Sequence, residues 1–224
     1  MTVAAALAAA DLGLQRGITQ WRGVGAAPAA LVQAAVTEQR IELRMARDPR
    51  LAGGVLAKLP AGLARDVSDD VVARRDLLRL APHGKKGPPV RLGHALPVAQ
   101  LRAFYAEGQR RSGVAWQVLA AVNYVESDFG RLREASVDGA QGPMQFMPST
   151  WLSYGKGDVH DPQAAILAAA RFLHAAGAPA DEAAALYHYN PSSLYVDAVE
   201  RYAGRIRRDP AALLVFYVRK PLIR

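Results

Sequence analysis

The stretch NYVESDFG, residues 123–130, sets two carboxylic acids, Glu126 and Asp128, at the end of the apolar run VAWQVLAAV. Ala115, Leu119, Val122 and Glu126 follow the i, i+4, i+7, i+11 course of one helix face, so Glu126 continues an inward stripe. It also falls at a helix C-terminus, where the macrodipole disfavours another anion. Burial and dipole would both raise the carboxyl pKa, and a carboxyl that is still protonated near neutrality can deliver a proton to a leaving-group oxygen. The other reading is a helix-end glutamate reaching water or Arg131. The stretch by itself leaves both open. Asp128, two residues on, points away from Glu126 on a helix.

A second stretch, GAQGPMQFMPSTW at 139–151, supplies binding chemistry. Gly139 and Gly142 allow tight turns and a close backbone approach to a ligand. Gln145 offers an amide donor and acceptor between Met144, Phe146 and Met147. An amide on an apolar floor suits a sugar, which has apolar faces and polar edges. The alternative is a core-packing loop with Gln145 at the surface. Asp138 precedes a glycine turn and reads as a loop support. No metal or cofactor is expected. His160, His174 and His188 are too scattered for a zinc signature, and GKGDVHDP lacks the ligand alternation of a calcium loop. His83 and His94 sit in a loop and read as solvated. Without cysteine there is neither disulfide nor thiolate ligand.

The elements that must position these residues read as helices throughout. The 224 residues are 51% hydrophobic and only 7% aromatic, rich in Ala, Leu and Arg, a mixture that favours helix. Residues 1–80 read as a helical N-terminal region, with one helix over APAALVQAAVTEQRIELRMA, one starting at Asp48-Pro49 and one starting near Ser68 or Asp69. Residues 81–97, rich in Gly, Pro and Lys, read as a linker or long loop. Helices are then expected over 98–113, 114–126, from Pro148 to Gly155, from Asp161-Pro162 to Gly177, from Asp181, and from a Ser cap through RIRR. Residues 208–224 read as a C-terminal tail. No strand pattern and no fixed-period repeat is visible.

Lys and Arg exceed Asp and Glu by 28 − 20 = 8, with a pI near 10.0. A basic surface attracts anionic polymers or lipid. The charges come as doublets, at 74–75, 85–86, 110–111 and 207–208, without the motifs of a nucleic-acid reader, so nucleic acid is not the expected partner. No apolar run is long enough to span a membrane, and MTVAAALAAADLGLQ lacks the basic start of a signal peptide.

Taken in order, VESDFG, ASVDGAQGPMQFMPSTW, DPQAAILAAARFL and ALYHYNPSSLYV resemble the lytic transglycosylases of the goose-type-lysozyme-like superfamily, the SLT-domain peptidoglycan lyases. The resemblance covers residues 98–207. It implies an all-α chain with a lysozyme-like catalytic domain and an N-terminal helical extension. It implies Glu126 as the catalytic acid/base, and Ser136, Met144, Gln145, Phe146, Tyr189 and Asn190 as substrate-binding residues, with the Tyr189 hydroxyl near the Glu126 carboxyl. The implied reaction cleaves the β-1,4 bond between N-acetylmuramic acid and N-acetylglucosamine and leaves a 1,6-anhydro end, outside the cytoplasm. Departures are a Glu126–Ser136 spacing one residue longer than the common form, His188 for an alanine and Pro143 for a leucine. Two rival expectations remain: a lysozyme-type hydrolase using Asp138 or a bound water, and a non-catalytic wall-binding module. The N-terminal helices could also dock a protein partner.

Overall fold

The computed structural model describes residues 1–80 and 91–221. The first part of the expected linker, with His83 and the Lys85-Lys86 doublet, lies outside the described residues. Among the described residues there are eleven helices and only two isolated β-bridges, the all-α architecture that the patterning predicts. None of these helices is long and apolar enough to cross a membrane.

The N-terminal region is four helices: α1 (Val3–Trp21), α2 (Ala29–Arg47), α3 (Pro49–Leu56) and α4 (Ala61–Leu80). Thr2 caps α1 through its side chain, and Asp48 caps α3 with Pro49 in the first turn, as the Asp-Pro pair demands. The start of α4 differs from expectation. It begins at Ala61, straight after Pro60, rather than near Ser68. Gly62 does not stop it, because Val67, Asp70, Val71 and Leu77 supply a continuous inward stripe whose burial outweighs one weak helix former.

Seven helices follow: α5 (Val98–Ser112), α6 (Trp116–Ser127), α7 (Pro148–Tyr154), α8 (Pro162–Ala175), α9 (Glu182–Tyr189), α10 (Ser193–Arg208) and α11 (Ala212–Val218). Gly113, Asp161 and Asp181 stop or start them where the sequence places its punctuation. α6 is the axis. Val118 through Val122 are all fully buried, so this helix is apolar on every side and can only lie inside. Val118, Leu119 and Val122 each contribute about 1.5–3 kcal/mol through burial. Gly108 lets α5 close on α6, since a Cβ there would stand 2.6 Å from the Leu119 side chain.

The stretch read as a C-terminal tail contains α11, which is knitted into two cores. Leu213 and Phe216 join the core around α6, while Val215 and Val218 pack with Leu14, Ile18 and Trp21 of α1. α4 runs antiparallel to α10: Asp66 and Asp69 hold Arg208 at 2.9 and 2.6 Å, and Asp69 also holds Arg201 at 2.9 Å. At the centre of this seam Arg219 Nη2 donates to Glu38, Glu42 and Asp70 at 2.9, 2.9 and 2.8 Å, and Arg205 pairs with the same Asp70. All five groups are buried. Burial pushes the Glu42 carboxyl well above its ordinary range, against the pull of Arg219.

Candidate active site

Glu126 occupies the last turn of α6, half-buried, and its Oε1 accepts a 2.7 Å hydrogen bond from the Tyr195 hydroxyl. Tyr195 lies in the first turn of α10 and is only 1% exposed. A phenol buried that deeply needs a partner for its O–H, and the carboxyl provides it. The two side chains are 69 residues apart in sequence.

The end of α6 is held by an unusual backbone. Asp128, Phe129 and Gly130 all have positive φ, at 50°, 61° and 79°, so the chain reverses sharply after Ser127. Ser127 and Asn123 turn inward and both donate to the Pro143 carbonyl, at 2.6 and 2.8 Å. Tyr105 in turn donates to Asn123 at 2.6 Å. Glutamate and glycine-rich loop are therefore one rigid unit. Tyr124, two residues before the acid, stacks on Phe216 and Phe129 and meets Tyr202 edge-on, at centroid distances of 5.0, 5.3 and 5.1 Å. Its hydroxyl accepts from Arg74 of α4, so the N-terminal helices grip both α10 and α6.

Asp128 is turned away from the acid. It is 6% exposed and pairs with Arg131 at 3.4 Å. Burial raises its carboxyl to about 6, with Arg131 opposing. Asp138 lies on the exposed turn 136–140.

The loop after Gly139 closes on itself. Gln141 and Phe146 exchange backbone hydrogen bonds of 2.9 Å each way, and Gln145 takes φ 47° with its side-chain amide donating to the Gly142 carbonyl. Gly142 has φ 73°, and a Cβ there would lie 2.0 Å from the Val159 carbonyl oxygen, so only glycine fits. Of the three consecutive residues expected along a groove, only Gln145 reaches the surface. Met144 and Phe146 are 0% and 3% exposed and pack in the core, because alternate residues of this turn point inward.

Tyr189 lies close enough to Glu126 to feel its charge, as expected, but it does not make the hydrogen bond to that carboxyl. Its hydroxyl donates to the Met144 carbonyl at 2.6 Å, and the hydroxyl on Glu126 is that of Tyr195. The two tyrosine rings stack with centroids 6.4 Å apart. Burial first, and the Glu126 carboxylate second, push the Tyr189 phenol well above its ordinary range, so it stays neutral beside the acid. Asn190 caps α9, half-buried. Ser136 is exposed, and its side chain and backbone bracket Ala140 at 3.0 and 2.8 Å, holding the loop. Sequence reading missed Tyr195. The available signal was the stripe Tyr195, Val199, Tyr202, Ile206, four buried residues at helical spacing.

Comparison with known proteins bears on this geometry. Residues 104–209 match the family described as Transglycosylase SLT domain. Over 73 residues the chain is 37% identical to the Membrane-bound lytic murein transglycosylase F of Thiobacillus denitrificans. That alignment covers 33% of this chain and 15% of the relative, so the chain spans only a small part of that protein's length. No solved structure matches significantly.

Proposed function

From a chain whose residues 104–209 are a transglycosylase SLT domain, we propose that the protein is a peptidoglycan lytic transglycosylase. Glu126 is its single acid/base. In the first half-reaction the protonated carboxyl delivers its proton to the β-1,4 glycosidic oxygen between N-acetylmuramic acid and N-acetylglucosamine. The muramic acetamido group stabilises the developing oxocarbenium ion. In the second half Glu126, now a carboxylate, takes the proton of the C6 hydroxyl, and that oxygen closes on C1 as the 1,6-anhydro ring forms. No water is consumed.

What carries the reading is the 2.7 Å Tyr195–Glu126 hydrogen bond at the edge of an apolar core. Such a donor fixes the carboxyl rotamer and steadies its ionised form between the two halves of the cycle. A two-carboxylate glycosidase needs a second acid about 5–9.5 Å away. Asp128 is committed to Arg131, which supports substrate assistance over a partner acid. In this reading Gln145, Ser136 and Asn190 meet the glycan directly, Met144 and Phe146 support the groove from beneath, and Tyr189 buttresses Tyr195. The catalytic unit is 98–207, packed on the helices of 1–80, and the substrate puts the workplace outside the cytoplasm.

Mass spectrometry of digested peptidoglycan tests it. Wild type should release 1,6-anhydro-muropeptides and Glu126→Gln none. Reducing-end muramic acid from wild type would instead mean hydrolysis, and undiminished function in Glu126→Gln would mean a binding module.

A further inference from the structure

The ionisable side chains of α2 and α4 are sorted by sign. Every carboxylate of the two helices is engaged with the fold: Glu38, Glu42 and Asp70 with Arg219 and Arg205, Asp66 and Asp69 with Arg208 and Arg201. Asp76, the last of them, is hydrogen-bonded to Asp197 of α10 and holds Arg75 at 3.3 Å. Apart from Arg74, which turns inward to Tyr124, basic residues of the same helices face outward. Arg40, Arg44 and Arg47 follow one exposed stripe of α2, and Arg79 is exposed near the end of α4.

Arg47, Arg75 and Arg79 converge on a cleft of about 360 Å³ walled by Ala46, Pro49 and Leu78. The neighbouring acid, Asp48, is occupied in capping α3, accepting from the backbone N–H groups of Arg50 and Leu51 at 3.0 Å each. Among the described residues no carboxylate pairs with Arg47 or Arg79. The Asp76–Asp197 contact puts this end of α4 beside the first turns of α10, two residues from Tyr195. The cleft thus lies toward the end of the molecule that carries the candidate acid.

We infer that this three-arginine cleft is an accessory site for the carboxylates of a peptide-substituted glycan strand, engaged while another part of the strand occupies the groove at Glu126. The inference rests on the reading of the protein as a peptidoglycan enzyme. Guanidinium forks match carboxylates in pairs, and three of them over short apolar walls select an anionic group without a bulky apolar one. A membrane surface fits less well. Among the described residues the exposed large apolar ones are Met1, Leu12, Val24, Leu92, Val137, Met147, Leu152 and Tyr187, and none lies on α2, α3 or α4 to insert. Single-stranded nucleic acid fits less well too, because the lining holds no aromatic ring on which a base could stack.

Sedimentation with insoluble peptidoglycan tests this, using Glu126→Gln protein so that turnover plays no part. At low salt, adding Arg47→Ser and Arg79→Ser together should weaken binding about five- to tenfold, at an unchanged melting temperature. Peptidoglycan whose carboxylates have been amidated with carbodiimide should bind the parent protein as weakly as native material binds the variant. High salt should erase the difference. The inference is overturned if the two arginines make no difference, or if their effect persists on amidated material. It is also overturned if they govern binding to duplex DNA or phosphatidylglycerol vesicles but not to peptidoglycan. Failure of wild type to make anhydro ends would count against the lyase reading instead, and product analysis reads that separately.

Discussion

Replacing Tyr195 with Phe removes one oxygen and leaves the ring, its stacking on Tyr189 and the burial of α10 in place. What disappears is the 2.7 Å donor to Glu126. A hydrogen bond to a charged group is worth about 1.5–3 kcal/mol. Here it favours the ionised carboxyl, so its loss should make Glu126 hold its proton more tightly. The sign decides the phenotype. The variant should hold its proton to higher pH, displacing both limbs of the rate profile toward alkaline values. Return of the proton from the C6 hydroxyl to a less well-oriented carboxylate should slow turnover about tenfold at the optimum. The assay is release of soluble anhydro-muropeptides from pH 4 to 9, with thermal melting as the fold control. Tyr189→Phe is the contrast, because its hydroxyl serves the Met144 carbonyl. That variant should lose stability and keep the wild-type limbs. A Tyr195→Phe profile superimposed on wild type, with a rate within about twofold, would refute the assignment of Tyr195 to the acid.

Three further outcomes follow from the packing. Gly142→Ala should destabilise the protein by more than about 2 kcal/mol in urea titration, because φ 73° and a Cβ 2.0 Å from the Val159 carbonyl force the loop to move. Arg219→Met leaves Glu38, Glu42 and Asp70 buried around Arg205 alone and should cost about 3–5 kcal/mol, less at pH 5 than at pH 8 because the raised Glu42 carboxyl accepts a proton as pH falls. Asp128 titrates at about 6 when folded, above its ordinary 3.8, so its contribution to stability is fully present below pH 4 and declines as pH rises through 6. Asp128→Asn, which tolerates the positive φ, should therefore compare better with wild type at pH 7.5 than at pH 4.5 in paired melts; the opposite order would reverse the assigned sign.

Most helices, and the place of Glu126 at the end of a buried helix, were legible in the sequence because their signals are local. Asp48, Asp161 and Asp181 cap helices within three residues of themselves, Gly113 ends one with its own φ, and the VAWQVLAAV run can only be buried, which sets Glu126 at the edge of a core. Gly142 was readable in part, since its positive φ is a demand made within the turn, whereas the Val159 carbonyl that also excludes a Cβ is brought there by the fold. The tail was misread because ALLVFYV is short, and its helix is stabilised by Trp21 and Tyr124 from elsewhere in the chain. Which tyrosine meets the acid was beyond any local pattern. Tyr189 and Tyr195 lie six residues apart on different helices, and either hydroxyl could serve. The choice follows from the register of α10, set by Arg201, Arg205 and Arg208 gripping the aspartates of α4 more than a hundred residues earlier. Periodicity tells a residue which face it occupies; only the closed packing of distant helices decides what stands opposite.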